Sequence, residues 1–346
     1  MNAAPDAARP GYQQLTPARV LDALDTVGLR PDGRLLQLNS YENRVHQVFL
    51  EDGSAVVTKF YRPGRWRDEQ ILEEHGFAFD LAAAEVPVIA PRVLDGPAHD
   101  GTAERLGQPP SLARWSCDGE AYRFAVWPRC AGREPELEQP ETLRRIGRFI
   151  GRLHAVGRQR PFVHRYRMDP LPDGERALQR LLELGAVPET ERPAWLAACR
   201  QALDAMAEAL HRHGTLAMLR LHGDCHLGNV LWRDGGPYGV DLDDACTGPA
   251  VQDLWMLVSG DSDTLAAQLR CLLEGYTEWS DFDPCERLLI EPLRTLRMLR
   301  HAAWLAERWS DPAFPAAFAY FGSAAYWSQQ TTQLREQAAL MAATEG

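Results

Sequence analysis

Apolar and polar positions change rhythm along this chain near residue 128. Ahead of that point the apolar residues fall in short runs, at Arg34 to Leu38, Val45 to Leu50 and Ala55 to Tyr61, the last two joined by the turn sequence Glu51-Asp52-Gly53. Short alternating runs separated by turn residues predict an antiparallel sheet. Before them, Thr16 followed by Pro17 predicts a helix start and Gly28 its stop: the hydroxyl caps free amides and proline suits the first turn. Ile71, Leu72, Phe77, Phe79 and Leu81 recur at mostly helical spacing and predict a helix over residues 67–84, ended by the segment from Pro87 to Pro91. A further hairpin is predicted from Leu112 to Trp127 around Asp118-Gly119.

Pro128, Gly132, Pro135 and Pro140 then form a joint rich in helix and strand breakers. Helical periodicity follows at Glu141 to Val156, Gly174 to Leu184 and Arg192 to Arg212, and resumes at Ala250 to Val258, Asp263 to Trp279, Pro284 to Trp309 and Ser323 to Ala343. The interruption from Leu219 to Val240 holds short apolar runs around Asp234-Gly235-Gly236. The pattern predicts an α+β protein of two lobes, a small β-rich lobe over residues 1–128 and a larger, mainly helical lobe over residues 129–346.

Composition narrows the function. With 37 basic against 48 acidic side chains the 346 residues carry a net charge of −11 and no compact run of Lys and Arg, which argues against nucleic acid as a partner. No stretch approaches the ~20 apolar residues of a spanning helix, and the first residues lack the basic start and apolar run of a secretory signal, so neither membrane residence nor export is expected. The seven cysteines are scattered without a CxxC pair, which fits a reducing, cytoplasmic setting.

The polar interruption carries the chemistry. Asp224 is followed five positions on by Asn229 and, after a turn and a short apolar strand, by Asp241. A hairpin of this length would bring Asn229 and Asp241 side by side, with Asp224 on the loop facing them. That supplies oxygen ligands for a hard cation such as Mg2+, which takes few protein oxygens and fills its octahedron with phosphate and water. It also leaves one carboxylate to orient or deprotonate an attacking hydroxyl.

The spacing of Asp, four residues, Asn and a later Asp resembles the catalytic and metal-binding segments of the protein-kinase-like superfamily. The wording His222-Gly223-Asp224 with His226 and Asn229 resembles its aminoglycoside phosphotransferase and choline kinase branch. More narrowly, LNSYENR (38–44), KFYRPGRW (59–66), QILEEH (70–75), RLHGDCH (220–226) and GPAVQDLWM (248–256) together resemble the bacterial stress response kinase A family, over about residues 12 to 330. The resemblance implies a bilobal kinase-like fold with ATP and Mg2+ in its cleft, and transfer of the γ-phosphoryl group to serine or threonine of proteins, in a stress response, by a monomer.

It also implies roles. Asp224 matches the catalytic aspartate; Asn229 and Asp241 match the Mg2+ ligands; Lys59, on the third strand, matches the lysine that pairs with the α- and β-phosphates. Glu74 matches that lysine's glutamate partner, with Glu73 the alternative, because adjacent helical residues point about 100° apart. A glycine-rich phosphate loop is absent. The turn Asn39-Ser40-Tyr41-Glu42-Asn43-Arg44 stands in its place, and Ser40 matches the family's residue at ATP. Adenine is expected against the backbone of residues 125–129.

Other readings compete. Asp and Asn serve widely as turn and cap residues. His222 and His226, four apart, could share a zinc ion on one helix face, but Gly223 stands where a metalloprotease has glutamate and the flanking run reads as a strand. His222 is expected instead to hold the catalytic loop through backbone hydrogen bonds, and His154 to pack structurally. Asp241-Leu242-Asp243 at a strand end resembles the nucleophile and acid of haloacid-dehalogenase-type phosphatases, though Ala245 replaces their Thr or Val and Asp224 and Asn229 would go unexplained. Choline, homoserine or an aminoglycoside is the alternative acceptor, since sister families use the same chemistry.

Overall fold

The computed structural model describes residues 12–96 and 103–343. Six strands, β1 (Pro31–Leu38), β2 (Arg44–Leu50), β3 (Ala55–Phe60), β4 (Ala103–Leu106), β5 (Leu112–Cys117) and β6 (Glu120–Pro128), form one antiparallel sheet in the order β1-β2-β3-β6-β5-β4. The helix α1 (Pro17–Thr26) starts as its sequence predicts, with the Thr16 hydroxyl accepting from the Arg19 amide, and Gly28 takes the positive φ that ends it. Its buried residues Val20, Ala23 and Leu24 join Val48, Val56, Phe60 and Phe124 of the sheet in one apolar core. The helix α2 (Asp68–Ala83) buries Ile71, Phe77, Ala78 and Leu81. The strand β4, four residues long, is an addition to the predicted elements.

The later helices are α3 (Pro140–Gly157), α4 (Pro170–Glu183), α5 (Arg192–His213), the single turn α6 (Gln252–Trp255), α7 (Ser262–Tyr276), α8 (Ile290–Glu307), α9 (Ala313–Ala317) and α10 (Ala324–Ala343). The run predicted over 284–309 divides. Pro284–Leu289 is a 3-10 turn, and α8 begins afresh at Ile290. Pro292 explains the break: it lacks an amide hydrogen and its ring would meet the carbonyl four residues back, so it is accommodated only in a first turn.

The chain forms two compact units. The first contains the chain up to Pro135 and takes back two later pieces, Phe162–Arg165 and Gly228–Asp243. The second contains Glu136–Pro161, Tyr166–Leu227 and Asp244 onward. Within the first unit β8 (Val230–Arg233) and β9 (Gly236–Gly239) make a hairpin whose register pairs Val230 with Gly239. The Val240 amide donates to the Asn229 carbonyl at 3.0 Å, so Asn229 and Asp241 emerge at the open end of that hairpin. In the second unit β7 (Leu219–Leu221) pairs with β10 (Cys246–Gly248), framing the loop that bears Asp224.

Candidate active site

The first unit holds a cavity of about 340 Å³. Leu38, Asn39 and Ser40 from the turn after β1, Lys59 from β3, Glu74 from α2, Trp127 and Pro128 from β6, and Asn229 and Asp241 from the ends of the β8–β9 hairpin all line it. Ser40 also caps its own turn, its hydroxyl accepting from the Asn43 amide at 3.3 Å.

Lys59 is buried and its ammonium donates to Asp241 at 2.6 Å, with Asp243 at 4.0 Å. Burial alone would depress its pKa, but Asp241, Asp243 and Glu74 together hold it above the usual lysine value. Glu74 lies in the same buried cluster without forming an ion pair to Lys59: one carboxylate oxygen has no hydrogen-bond partner, and burial pushes its pKa up against the pull of Lys59. Glu73 points elsewhere. Its carboxylate accepts the consecutive amides of Val163, His164 and Arg165 at 2.6, 2.8 and 2.7 Å and so ties the strap 162–165 to α2.

Asp241 has φ +60°, a left-handed conformation unusual outside glycine, and its side chain remains 51% exposed. A half-exposed carboxylate beside the carboxamide of Asn229, both at the same cavity, gives a small set of hard oxygen donors that fits Mg2+ completed by phosphate and water.

Asp243, two residues on, is a functional residue that sequence reasoning read only as a phosphatase acid. It is buried behind cations: Arg65 pairs with its carboxylate, the Asn43 carboxamide donates to it at 3.0 Å, and Arg165 donates to its carbonyl. Burial would raise its pKa, but Arg65, Lys59 and Arg165 outweigh that and hold it low. Arg165 in turn lies 4.2 Å over the Trp66 ring, and Asn43 accepts the Arg62 amide at 3.1 Å. A carboxylate so enclosed is no phosphatase acid. The local signal was present, since Asn43 lies in LNSYENR and Arg65 in KFYRPGRW, but the pairing spans up to 200 residues.

The second unit carries Asp224. Its loop is shaped by Asp253 of α6, whose carboxylate accepts the amides of His222 and Gly223, each at 2.8 Å. His154 of α3 does more than pack: its Nε2 meets Asp253 at 3.0 Å and its Nδ1 meets the Tyr276 hydroxyl at 2.9 Å. Gln252 donates to the Gly223 carbonyl at 3.1 Å. Gly223 has φ +85°, and a Cβ there would stand 2.1 Å from the Asp244 carbonyl oxygen, so only glycine fits. Burial would raise the Asp224 pKa, but His226, at 3.4 Å, and Arg297, whose guanidinium donates at 2.7 Å, hold it well below the carboxylate range. Arg297 had no sequence signal, being one of several arginines on the exposed side of α8.

Among the described residues no helix is long and apolar enough to cross a membrane. Comparison with known proteins gives a consistent picture. The profile of the phosphotransferase enzyme family matches residues 34–288. Stress response kinase A of Escherichia coli (strain K12) is 41% identical over 338 residues, covering 95% of this chain and 94% of the relative. A Salmonella typhimurium protein named serine/threonine protein kinase RdoA is 42% identical over 340 residues with the same coverage. Among solved structures, the amicoumacin kinase hAmiN in complex with AMP-PNP, Ca2+ and Ami superposes with a TM-score of 0.67 at 17% identity, covering 94% of this chain and 92% of that one, a likeness of fold. On the full-length relatives and the family profile together, the chain belongs to the phosphotransferase enzyme family and, within it, to the stress response kinase A group.

Proposed function

We propose that this phosphotransferase is an ATP- and Mg2+-dependent protein kinase that transfers the γ-phosphoryl group to serine or threonine hydroxyls of proteins, as part of a stress response, acting as a cytoplasmic monomer. One observation carries the nucleotide half: Lys59, Asn229 and Asp241 line a single cavity of about 340 Å³ together with the Ser40 turn and the Trp127–Pro128 strand end. A cation for phosphates, two oxygen ligands for a hard ion and an apolar wall for a base are the parts that phosphoryl transfer asks of a protein. The protein acceptor is supported by the 42% identical relative named a serine/threonine protein kinase.

In this reading the Ser40 turn and Lys59 take the phosphates, the lysine pairing with the α- and β-phosphates, while Glu74 tempers its charge. Adenine lies against the β6 end. Asn229 and Asp241 would hold Mg2+, which when bound neutralises charge on the transferred group. Asp224 accepts and orients the acceptor hydroxyl. Most of the acceleration comes from positioning and charge neutralisation, as in other phosphoryl transfers. The lobes of the sequence reading, nucleotide binding over residues 1–128 and catalysis and metal binding over 129–346, belong to the same proposal.

A small-molecule alcohol remains the second reading, since the superposable hAmiN structure is named an amicoumacin kinase. Labelled ATP with Mg2+ separates the two. Label is expected on serine or threonine of a generic protein or of the enzyme itself, and transfer confined to a panel of small alcohols would overturn the protein assignment. Asp241→Ala is expected to lower transfer by on the order of 100-fold or more in a protein that still folds, with a lower unfolding midpoint because buried Lys59 loses its 2.6 Å partner.

A further inference from the structure

Asp224 lies on a loop of the second unit, but one of its contacts comes from far along the chain. Arg297 of α8 donates from Nη1 to Asp224 Oδ1 at 2.7 Å, and the same nitrogen lies 3.6 Å from the Met256 sulfur. The helix that carries it is fixed to the loop by a second route. Arg294, one turn earlier, lies 5.5 Å over the Trp255 ring; the Trp255 indole donates to Gln252 at 3.1 Å; Gln252 donates to the Gly223 carbonyl at 3.1 Å. Buried Leu293, Leu296 and Leu299 hold α8 in the core. Arg297 is therefore carried to Asp224 by a helix that is itself packed, although its own side chain is 47% accessible.

The geometry points to Arg297 as a positioning residue for phosphoryl transfer, a fixed cation that holds the Asp224 carboxylate aimed at the acceptor hydroxyl. This rests on the reading of Asp224 as the catalytic carboxylate. In the reaction the acceptor oxygen forms a bond to the γ-phosphorus, the bond from that phosphorus to the β–γ bridging oxygen breaks, and its electron pair leaves with ADP. The hydroxyl proton passes to Asp224 and then to solvent. A carboxylate that is already protonated cannot receive it, so acid inactivates such a residue. Two groups able to carry positive charge face Asp224, His226 from its own loop and Arg297 from α8. An arginine guanidinium keeps its charge at every working pH. Arg297 is thus the constant member of the pair, and its charge, not its bulk, is what Asp224 uses. The pair is partly exposed, with side chains 47% and 26% accessible, so it adds little to folding.

The test is the pH dependence of turnover for wild type, Arg297→Gln, Arg297→Lys, Asp224→Asn and the Arg297→Gln/Asp224→Asn double variant, measured side by side with a protein acceptor so that titration of the nucleotide cancels. Arg297→Gln is expected to lower kcat by roughly tenfold or more, to shift the acid limb to higher pH, and to leave the ATP KM and thermal midpoint near wild type. Arg297→Lys restores much of kcat and the original limb. The double variant is no slower than Asp224→Asn alone, because the arginine acts through the aspartate. An unshifted acid limb, a change confined to the acceptor KM, or independent additive losses would each overturn the role. Wild-type turnover in Asp224→Asn would overturn the assignment of Asp224 itself, and this inference with it.

Discussion

Asp243 and Asp253 stand ten residues apart, are both buried, and solve different problems. Asp243, in the first unit, sits among cations: Arg65 pairs with its carboxylate, Lys59 is 4.0 Å away and Arg165 grips its carbonyl. Asp253, in the second, faces two backbone amides and a histidine. One balances charge beside the Lys59 cavity. The other bends a backbone into the shape that presents Asp224. A buried charge among fixed cations is wanted for its charge, whereas one among amides is wanted for its two acceptor oxygens, and an amide side chain loses the first function whole but keeps one oxygen of the second.

That contrast can be broken by substitution. The largest effect is expected from Asp253→Ala, which leaves the His222 and Gly223 amides and His154 without their acceptor; turnover should fall by roughly 1,000-fold with stability lower by about 3 kcal/mol or more, read from initial rates and denaturant unfolding. Next comes Asp243→Asn. Removing one negative charge from a buried cluster that includes Arg65 and Arg165 should cost about 2–4 kcal/mol and lower the ATP KM, since the field that the phosphates meet around Lys59 becomes more positive. Asp253→Asn should be milder than the alanine variant, costing about 1–2 kcal/mol, because the carboxamide oxygen still accepts one of the two amides while its NH2 faces the other. Equal damage from Asn at both positions would erase the distinction drawn here.

A further effect concerns pH. His75 is buried between the Tyr61 and Ser111 hydroxyls, and burial, with Lys59 and Arg165 nearby, pushes its pKa down to about 3. The unfolded chain takes up that proton near pH 6.5 and the folded one does not, so the stability it contributes is full above that pH and is lost as pH falls toward 3. In His75→Gln the decline between pH 6 and pH 4 should be shallower by up to about 1.4 kcal/mol per pH unit, measured by urea unfolding across that range. An identical slope in both proteins would remove His75 from the account.

How far the sequence reaches is visible in these same residues. The strands of the first sheet and the long helices were legible because alternation and 3.6-residue periodicity are local signals. The strand β4 was not: Ala103-Glu104-Arg105-Leu106 has no β-branched or aromatic residue, and it is a strand because β5 pairs with it. The spacing from Asp224 to Asp241 singled out the polar interruption, and the structure brings Asn229 and Asp241 to the same cavity as Lys59 and Ser40. The direct partner of Lys59 was not legible, because the lysine meets Asp241 while Glu74 stays in the cluster without bonding it. Asn43, Arg65 and Arg165 were invisible as a group, since each is an ordinary polar residue until the fold brings it, across 200, 178 and 78 residues respectively, to Asp243. Arg297 lacked even a motif to stand in.

The strap 162–165 and the hairpin 228–243 return to a unit whose other parts were laid down before residue 135. On a ribosome, that first unit therefore waits some thirty residues beyond Pro135 for the amides that Glu73 holds, and more than a hundred before Asp243 arrives to offset Arg65. A nascent chain stalled short of Asp243 would display Lys59 and Arg65 without the carboxylate that balances them, which makes this interval of synthesis the natural moment for chaperone attention.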